Sequence, residues 1–158
     1  MHITRFIRFL LVLLLPLLTL PMSGSVALLT AHAAEGTQSD LTAVTGHGMG
    51  RVIVSPEAGD QGTFAAQITV NVHDASPNTT FTVTRAADTT PDGVCENTVF
   101  TTPPGPGTSF TTSAGGAGAT HFERHSSNPS GSQFDIIFHV VGSDGTVLQS
   151  TCMTITVK

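Results

Sequence analysis

The sequence contains no tryptophan and no tyrosine, has 2 cysteines, and charges only 11% of its 158 residues. Soluble domains usually carry about 25% charged residues, so Thr, Ser, Asn and Gly must keep this chain in water. Without Trp or Tyr the chain lacks the stacking platforms of a sugar-cleaving cleft. Basic residues are few: 6 Lys and Arg stand against 11 Asp and Glu. Arg5 and Arg8 lie in an N-terminal leader. From Glu35 onward four basic residues (Arg51, Arg85, Arg124 and Lys158) face eleven acidic ones, a net of −7. Such a chain would not condense on phosphate, so no nucleic-acid partner is expected. Also missing are a G-x-S-x-G elbow, a phosphate loop, a dinucleotide fingerprint and any capped helical window. No cofactor is expected, and the absences weigh against an enzyme.

Residues 1–33 differ from the rest. Arg5 and Arg8 precede an apolar run at residues 10–20, and Ala31-His32-Ala33 supplies the A-x-A pattern read by signal peptidase. Pro16, Pro21, Ser23 and Gly24 interrupt the apolar stretch below the ~18 residues of a membrane span. The expectation is a cleaved signal peptide and a secreted or cell-surface protein with no membrane span in its mature part. The alternative is a leader kept as an anchor. Export gives meaning to Cys95 and Cys152, the only thiols. An oxidising compartment favours their pairing as a disulfide. Closing so long a loop is worth about 4 kcal/mol in the chain-entropy picture.

Residues 34–46 are polar and non-periodic and read as a tail; residues 47–158 read as one β domain. There the apolar period is two. Phe64, Ala66, Ile68, Val70 and Val72 alternate with polar or small neighbours, as do Phe81 and Val83. The same holds for Phe134, Ile136, Phe138 and Val140, whose opposite face is itself partly apolar and is expected to be partly covered, and for Met153, Ile155 and Val157. Shorter candidates at residues 51–55, 94–101 and 119–125 bring the count to seven strands. Turn signals rich in Pro, Gly, Asn and Asp separate them, at residues 55–59, 76–78, 90–93, 128–131 and 142–145. Twenty-two Thr after residue 34 suit strand faces in water. The expected fold is all-β, an antiparallel immunoglobulin-like β-sandwich of about seven strands with one disulfide.

Two resemblances attach to particular residues. The stretch from Ser76 through Pro77-Asn78-Thr79-Thr80-Phe81 to Val83 resembles the P-x-T-x-Y corner of fibronectin type III and related sandwiches, with Phe81 in place of the tyrosine. A strand ending in Pro77-Asn78-Thr79-Thr80-Phe81, then Asp92-Gly93-Val94-Cys95, then a partner cysteine at Cys152 in the last strand, is similar to copper/zinc superoxide dismutase. In that family a cysteine in the loop after the early strands bridges to one near the C-terminus. Where the family carries H-x-H copper ligands, this chain has Thr80-Phe81-Thr82-Val83-Thr84, and no copper ligand carries over. The whole also looks like small exported bacterial sandwich proteins without assigned activity.

Metal-ligand candidates are His73, His121, His125 and His139. On a helix His121 and His125 would share one zinc. On a strand they share a face about 13 Å apart and cannot. With Phe122 inward, His121, Glu123 and His125 face solvent. Asp88, Asp92 and Glu96 match no calcium-loop spacing and read as turn residues. The leading expectation is a secreted non-catalytic binding or structural module with an extracellular or cell-surface partner. The alternative is a metal-binding extracellular protein or enzyme derived from a superoxide dismutase-like sandwich.

Overall fold

The computed structural model describes residues 36–58 and 64–158, all strand or loop. The leader expected at residues 1–33 lies outside the described residues. The strands are β1 (Thr37–Thr45), β2 (Met49–Ala58), β3 (Phe64–His73), β4 (Thr80–Asp88), β5 (Ser109–Thr111), β6 (Gly118–Ser126), β7 (Gln133–Gly142), β8 (Val147–Gln149) and β9 (Met153–Thr156). All pairings are antiparallel. They form one sheet in the order β5-β4-β7-β8-β1-β2-β3-β6, with β9 also on β7. The outermost strands come together. Gly118 of β6 lies so close to the Phe110 ring of β5 that an added Cβ would sit 2.8 Å from it. Thr120 Oγ1 donates to the Gly107 carbonyl just before β5. The sheet is thus nearly closed into a barrel, which leaves little free edge.

Alternation fills the interior. Val52 and Val54 of β2, Ile68 and Val70 of β3, Phe81 and Val83 of β4, Phe138 and Val140 of β7, Leu148 of β8 and Ile155 of β9 are buried. Each contributes roughly 1.5–3 kcal/mol by leaving water. Phe64 meets Phe134 edge-on at 5.7 Å, and Phe81 stacks on Phe110 at 5.8 Å. Between β3 and β4, Asp74 and Asn78 take positive φ values of 56° and 51° in the turn that carries the chain out of β3 and into β4. Thr112 fastens this corner: its Oγ1 accepts the Thr79 N–H and donates to the Ser76 carbonyl. Gly116, at φ 74°, brings its N-terminal loop so near Ala75 that a Cβ would fall 2.2 Å from the Ala75 carbonyl.

Among the described residues nine strands stand where seven were expected. Residues 37–45, expected as a tail, form β1, with Leu41 fully buried and the Ser39 hydroxyl paired to Thr151 at 2.9 Å. The short strands β5 and β8 were also outside the expectation. Residues 94–101, expected as a strand, form irregular chain: Asp92 and Asn97 side chains cap the Val94 and Val99 N–H groups, and only Thr101 bridges to Arg85. The turn expected at residues 55–59 begins later, because β2 runs to Ala58 through Pro56. Proline is tolerated there since β1 starts opposite Val54, leaving Pro56 paired to Ala66 on one side only.

β8 and β9 both lie on β7, interrupted at residues 150–152. Gln149 pairs with His139 and Met153 with Ile136, so four residues on one strand span three on the other. This one-residue bulge reverses facing parity. Leu148 points inward, and so do Met153 and Ile155, while Cys152 is released from the core face. Ser150 stabilises the break by exchanging bonds with Phe138: its Oγ accepts the Phe138 N–H at 2.9 Å and its own N–H reaches the Phe138 carbonyl at 3.0 Å.

Candidate functional site

The long connection between β4 and β5 is tied along the outer face of β7. Cys95 is disulfide-bonded to Cys152, 57 residues away, as expected. The Gly93 N–H donates to Asp135 Oδ2 at 2.6 Å, and Thr154 Oγ1 donates to Asp135 Oδ1 at 2.6 Å, so this fully buried carboxylate is bonded at both oxygens. Asn97 Nδ2 donates to the Ala87 carbonyl, and the Phe100 ring lies on the His139 imidazole. The outer face of β7 is partly covered, as its sequence implied: Asp135 is buried, while Ile137, His139 and Val141 are half-buried.

The histidine candidates are dispersed. His121, Glu123 and His125 face solvent on β6 with Phe122 buried beneath. Thr69 Oγ1 and His121 Nδ1 share a hydrogen bond at 3.0 Å, while His125 Nε2 pairs with Glu123 at 3.1 Å. His73 pairs with Asp74 and lies opposite Met49; His139 Nε2 bonds Gln149 Oε1 at 2.7 Å. None has a histidine across its ladder. Among the described residues no three His, Cys, Asp or Glu side chains come together. On β4 the Thr80 and Thr82 hydroxyls bond Thr111 and Ser109 of β5, each at 3.1 Å, forming a hydroxyl ladder where the superoxide dismutase resemblance would place copper ligands. Asp88 Oδ1 accepts the Thr90 N–H and Asp92 Oδ1 the Val94 N–H, which makes both turn caps.

His121, Glu123 and His125 border a broad, open depression beside residues 104–107, whereas a smaller and more enclosed recess lies at one end of the barrel-like sheet and is built around two arginines. Inward alternation on β4 runs Phe81, Val83, Arg85, Ala87, and on β6 it runs Phe122, Arg124, Ser126. β5 pairs with Thr80–Thr82 of β4, and the chain before it follows the same edge through Thr108 and Thr101 as far as Arg85, so the wall between β4 and β6 opens only beyond that point. Arg85 and Arg124 line a recess of about 120 Å³ at that opening, with Phe64, Ile68, Phe134 and Ile136 as apolar walls. Burial, and then the nearby Arg124 charge, pull the Arg85 pKa below its ordinary value. Arg124 Nε is buried without a hydrogen-bond partner. Among the described residues no ion pair involves either guanidinium. Asp88 also lines the recess. The sequence did carry a signal for this pair: each arginine stands two residues beyond a core residue on an apolar strand face, a place where charge is rare unless partnered.

No family model, curated protein or solved structure matches this chain. The class defined by fold and site is an antiparallel, one-disulfide β-barrel with a basic, apolar-walled recess at one end. Among the described residues no helix is long and apolar enough to cross a membrane.

Proposed function

We propose that the protein is an exported, non-catalytic binding module whose ligand site is the recess at the open end of the barrel. The observation that carries this reading is the lining: apolar walls with a few convergent polar groups are the usual composition of a small-molecule site, and here the polar groups are led by Arg85 and Arg124, with Asp88, Thr89, Ser126 and Asn128 beside them. Neither histidine nor thiol lines it, and its one carboxylate, Asp88, caps the Thr90 N–H, which favours binding over catalysis there. Export is supported by the A-x-A pattern ending at Ala33 and by the Cys95–Cys152 bridge, which suits an oxidising compartment.

The sandwich resemblances also find support. Strands β1-β2-β3-β6 face β5-β4-β7-β8 across one core, and Cys95 after β4 joins Cys152 just before the last strand. That bridge favours descent from a superoxide dismutase-like sandwich, the second reading. The Thr80 and Thr82 ladder and the covered His139 weigh against metal chemistry on that surface.

The test is amide-shift mapping by NMR on the purified disulfide-bonded protein, titrated separately with a panel of small neutral, cationic and anionic organic compounds and with zinc and copper. Saturable shifts clustered on Arg85, Arg124, Phe64 and Ile136 support the recess as the binding site. A panel without such shifts overturns it, and metal-induced shifts centred on the histidines promote the second reading.

A further inference from the structure

We infer that Arg85 and Arg124 form a carboxylate-binding pair, and that the ligand of the recess is a small organic monocarboxylate whose hydrocarbon part enters between Phe64, Phe134 and Ile136. This rests on the reading of the recess as a binding site and names its ligand class.

Charge distribution is the first argument. From Glu35 onward the chain has four basic residues against eleven acidic ones. Arg51 is spent on Asp40 across the β1–β2 pair, and Lys158 is the final residue. The remaining two are placed at one recess, near enough for one charge to act on the other. In a chain this acidic, arginines that only filled space would be expected to find carboxylates. Here neither enters an ion pair among the described residues, and Asp88 at the rim caps Thr90 instead.

Desolvation is the second. A guanidinium stays charged under any ordinary condition and presents five donors in a planar fork. Burying it with an unmet donor is unfavourable, and Arg124 Nε is such a donor. Two like charges at one opening add repulsion. A single anion placed between them would meet the open donor and offset the repulsion together.

Size and lining select the anion. A cavity of about 150 Å³ lined by Leu, Ile and Phe holds benzene, so a recess of about 120 Å³ takes a hydrocarbon body of up to about six carbons. Inorganic phosphate or sulfate would leave the apolar walls wet and would bring more charge to desolvate. A carboxylate matches the guanidinium fork in two parallel hydrogen bonds and brings one charge.

The experiment compares hexanoate, 1-hexanol and inorganic phosphate by calorimetric titration of the purified disulfide-bonded protein at constant ionic strength, alongside Arg85→Gln, Arg124→Gln and Arg51→Gln. Hexanoate is expected to bind saturably, to weaken as salt rises, and to exceed hexanol by about tenfold or more, the size of a charge-assisted hydrogen-bond difference. Phosphate is expected to give no saturable heat. Each recess variant should lose about tenfold in hexanoate affinity, while Arg51→Gln, outside the recess, binds like the parent. The ligand-free Arg→Gln variants should melt no lower than the parent, because each removes an unpaired, partly buried charge; this measurement also verifies that they fold. Equal affinity for hexanoate and hexanol, with NMR shifts in the recess, overturns the carboxylate inference and leaves the binding-module reading standing. Tighter phosphate binding, or hexanoate binding unchanged in both recess variants, also overturns it. No binding by any probe of either panel overturns both.

Discussion

Phe100 lies flat on the imidazole of His139, with ring centroids 3.5 Å apart and planes 8° from parallel. The same histidine holds Gln149 through Nε2, so it links the covering loop to the β7–β8 pair. Phe100→Ala removes the stack and leaves the backbone bridge between Thr101 and Arg85 as the next anchor. The expected loss is about 1 kcal/mol in denaturant unfolding, the scale of an aromatic pair, with faster amide exchange confined to residues 97–101. An unchanged midpoint and unchanged exchange would show that the stack holds nothing in place.

The disulfide and the bulge at residues 150–152 depend on each other, because only the shift in parity frees Cys152 to meet Cys95 on the outside of β7. Replacing both cysteines by serine should lower stability by roughly 2–5 kcal/mol. Deleting Thr151 should cost less than that double substitution, since Gln149, Ser150, Cys152 and Met153 could then pair with His139, Phe138, Ile137 and Ile136 without a bulge. Cys152 would stay outward and Met153 and Ile155 inward, at the loss of the bonds between Thr151 and Ser39. Unfolding curves for the two variants rank them. A deletion that melts below the double serine variant contradicts the account of the bulge.

Asp135 is fully buried and accepts the Gly93 N–H and the Thr154 hydroxyl. Asp135→Ala would leave both donors unmet, at a cost of about 1–3 kcal/mol for a buried group without its partner. Asp135→Asn keeps an acceptor for one of them and should fall between the parent and the alanine variant. Denaturant titration of the three proteins gives the order, and equal midpoints would refute it.

The long strands were legible because their apolar positions alternate over many residues: β3 was expected at residues 64–73 and found there, and β7 differs by a residue at each end. β1 was hidden because its single core anchor is Leu41, its other inward residue, Ser39, being held by the Thr151 hydroxyl. β5 and β8 have three residues each, anchored on Phe110 and Leu148, and that is too short for any period to register. The error at residues 94–101 has the opposite cause. Val94, Val99 and Phe100 suggested a strand, yet Val94 and Val99 are exposed and Phe100 faces an outer surface. The outward placement of His121 and His125 followed from alternation alone. The same alternation set Arg85 and Arg124 inward, but their meeting depends on how far the chain before β5 follows the β4 edge, which is a property of the closed sheet and has no local signature.

Asp144 in the β7–β8 turn supplies the pH dependence. Its carboxylate accepts the Ser76 hydroxyl at 2.5 Å, the Thr146 N–H at 3.0 Å and the Thr146 hydroxyl at 3.1 Å, so the turn is fastened to the corner that precedes β4. These bonds, led by that of Ser76, hold the Asp144 pKa below its ordinary value. A carboxylate whose folded pKa is depressed contributes stability above its unfolded value of about 3.9, and that contribution is lost as pH falls through the folded value. Ser76→Ala should therefore be less stable than the parent by a constant margin near neutral pH. The margin should narrow as pH drops below about 4, where the unfolded chain takes up the proton first. Thermal melts of the two proteins from pH 7 to pH 2.5 provide the comparison. A margin that stays constant or widens toward acid would mean that the Ser76 bond does not act through the charge of Asp144.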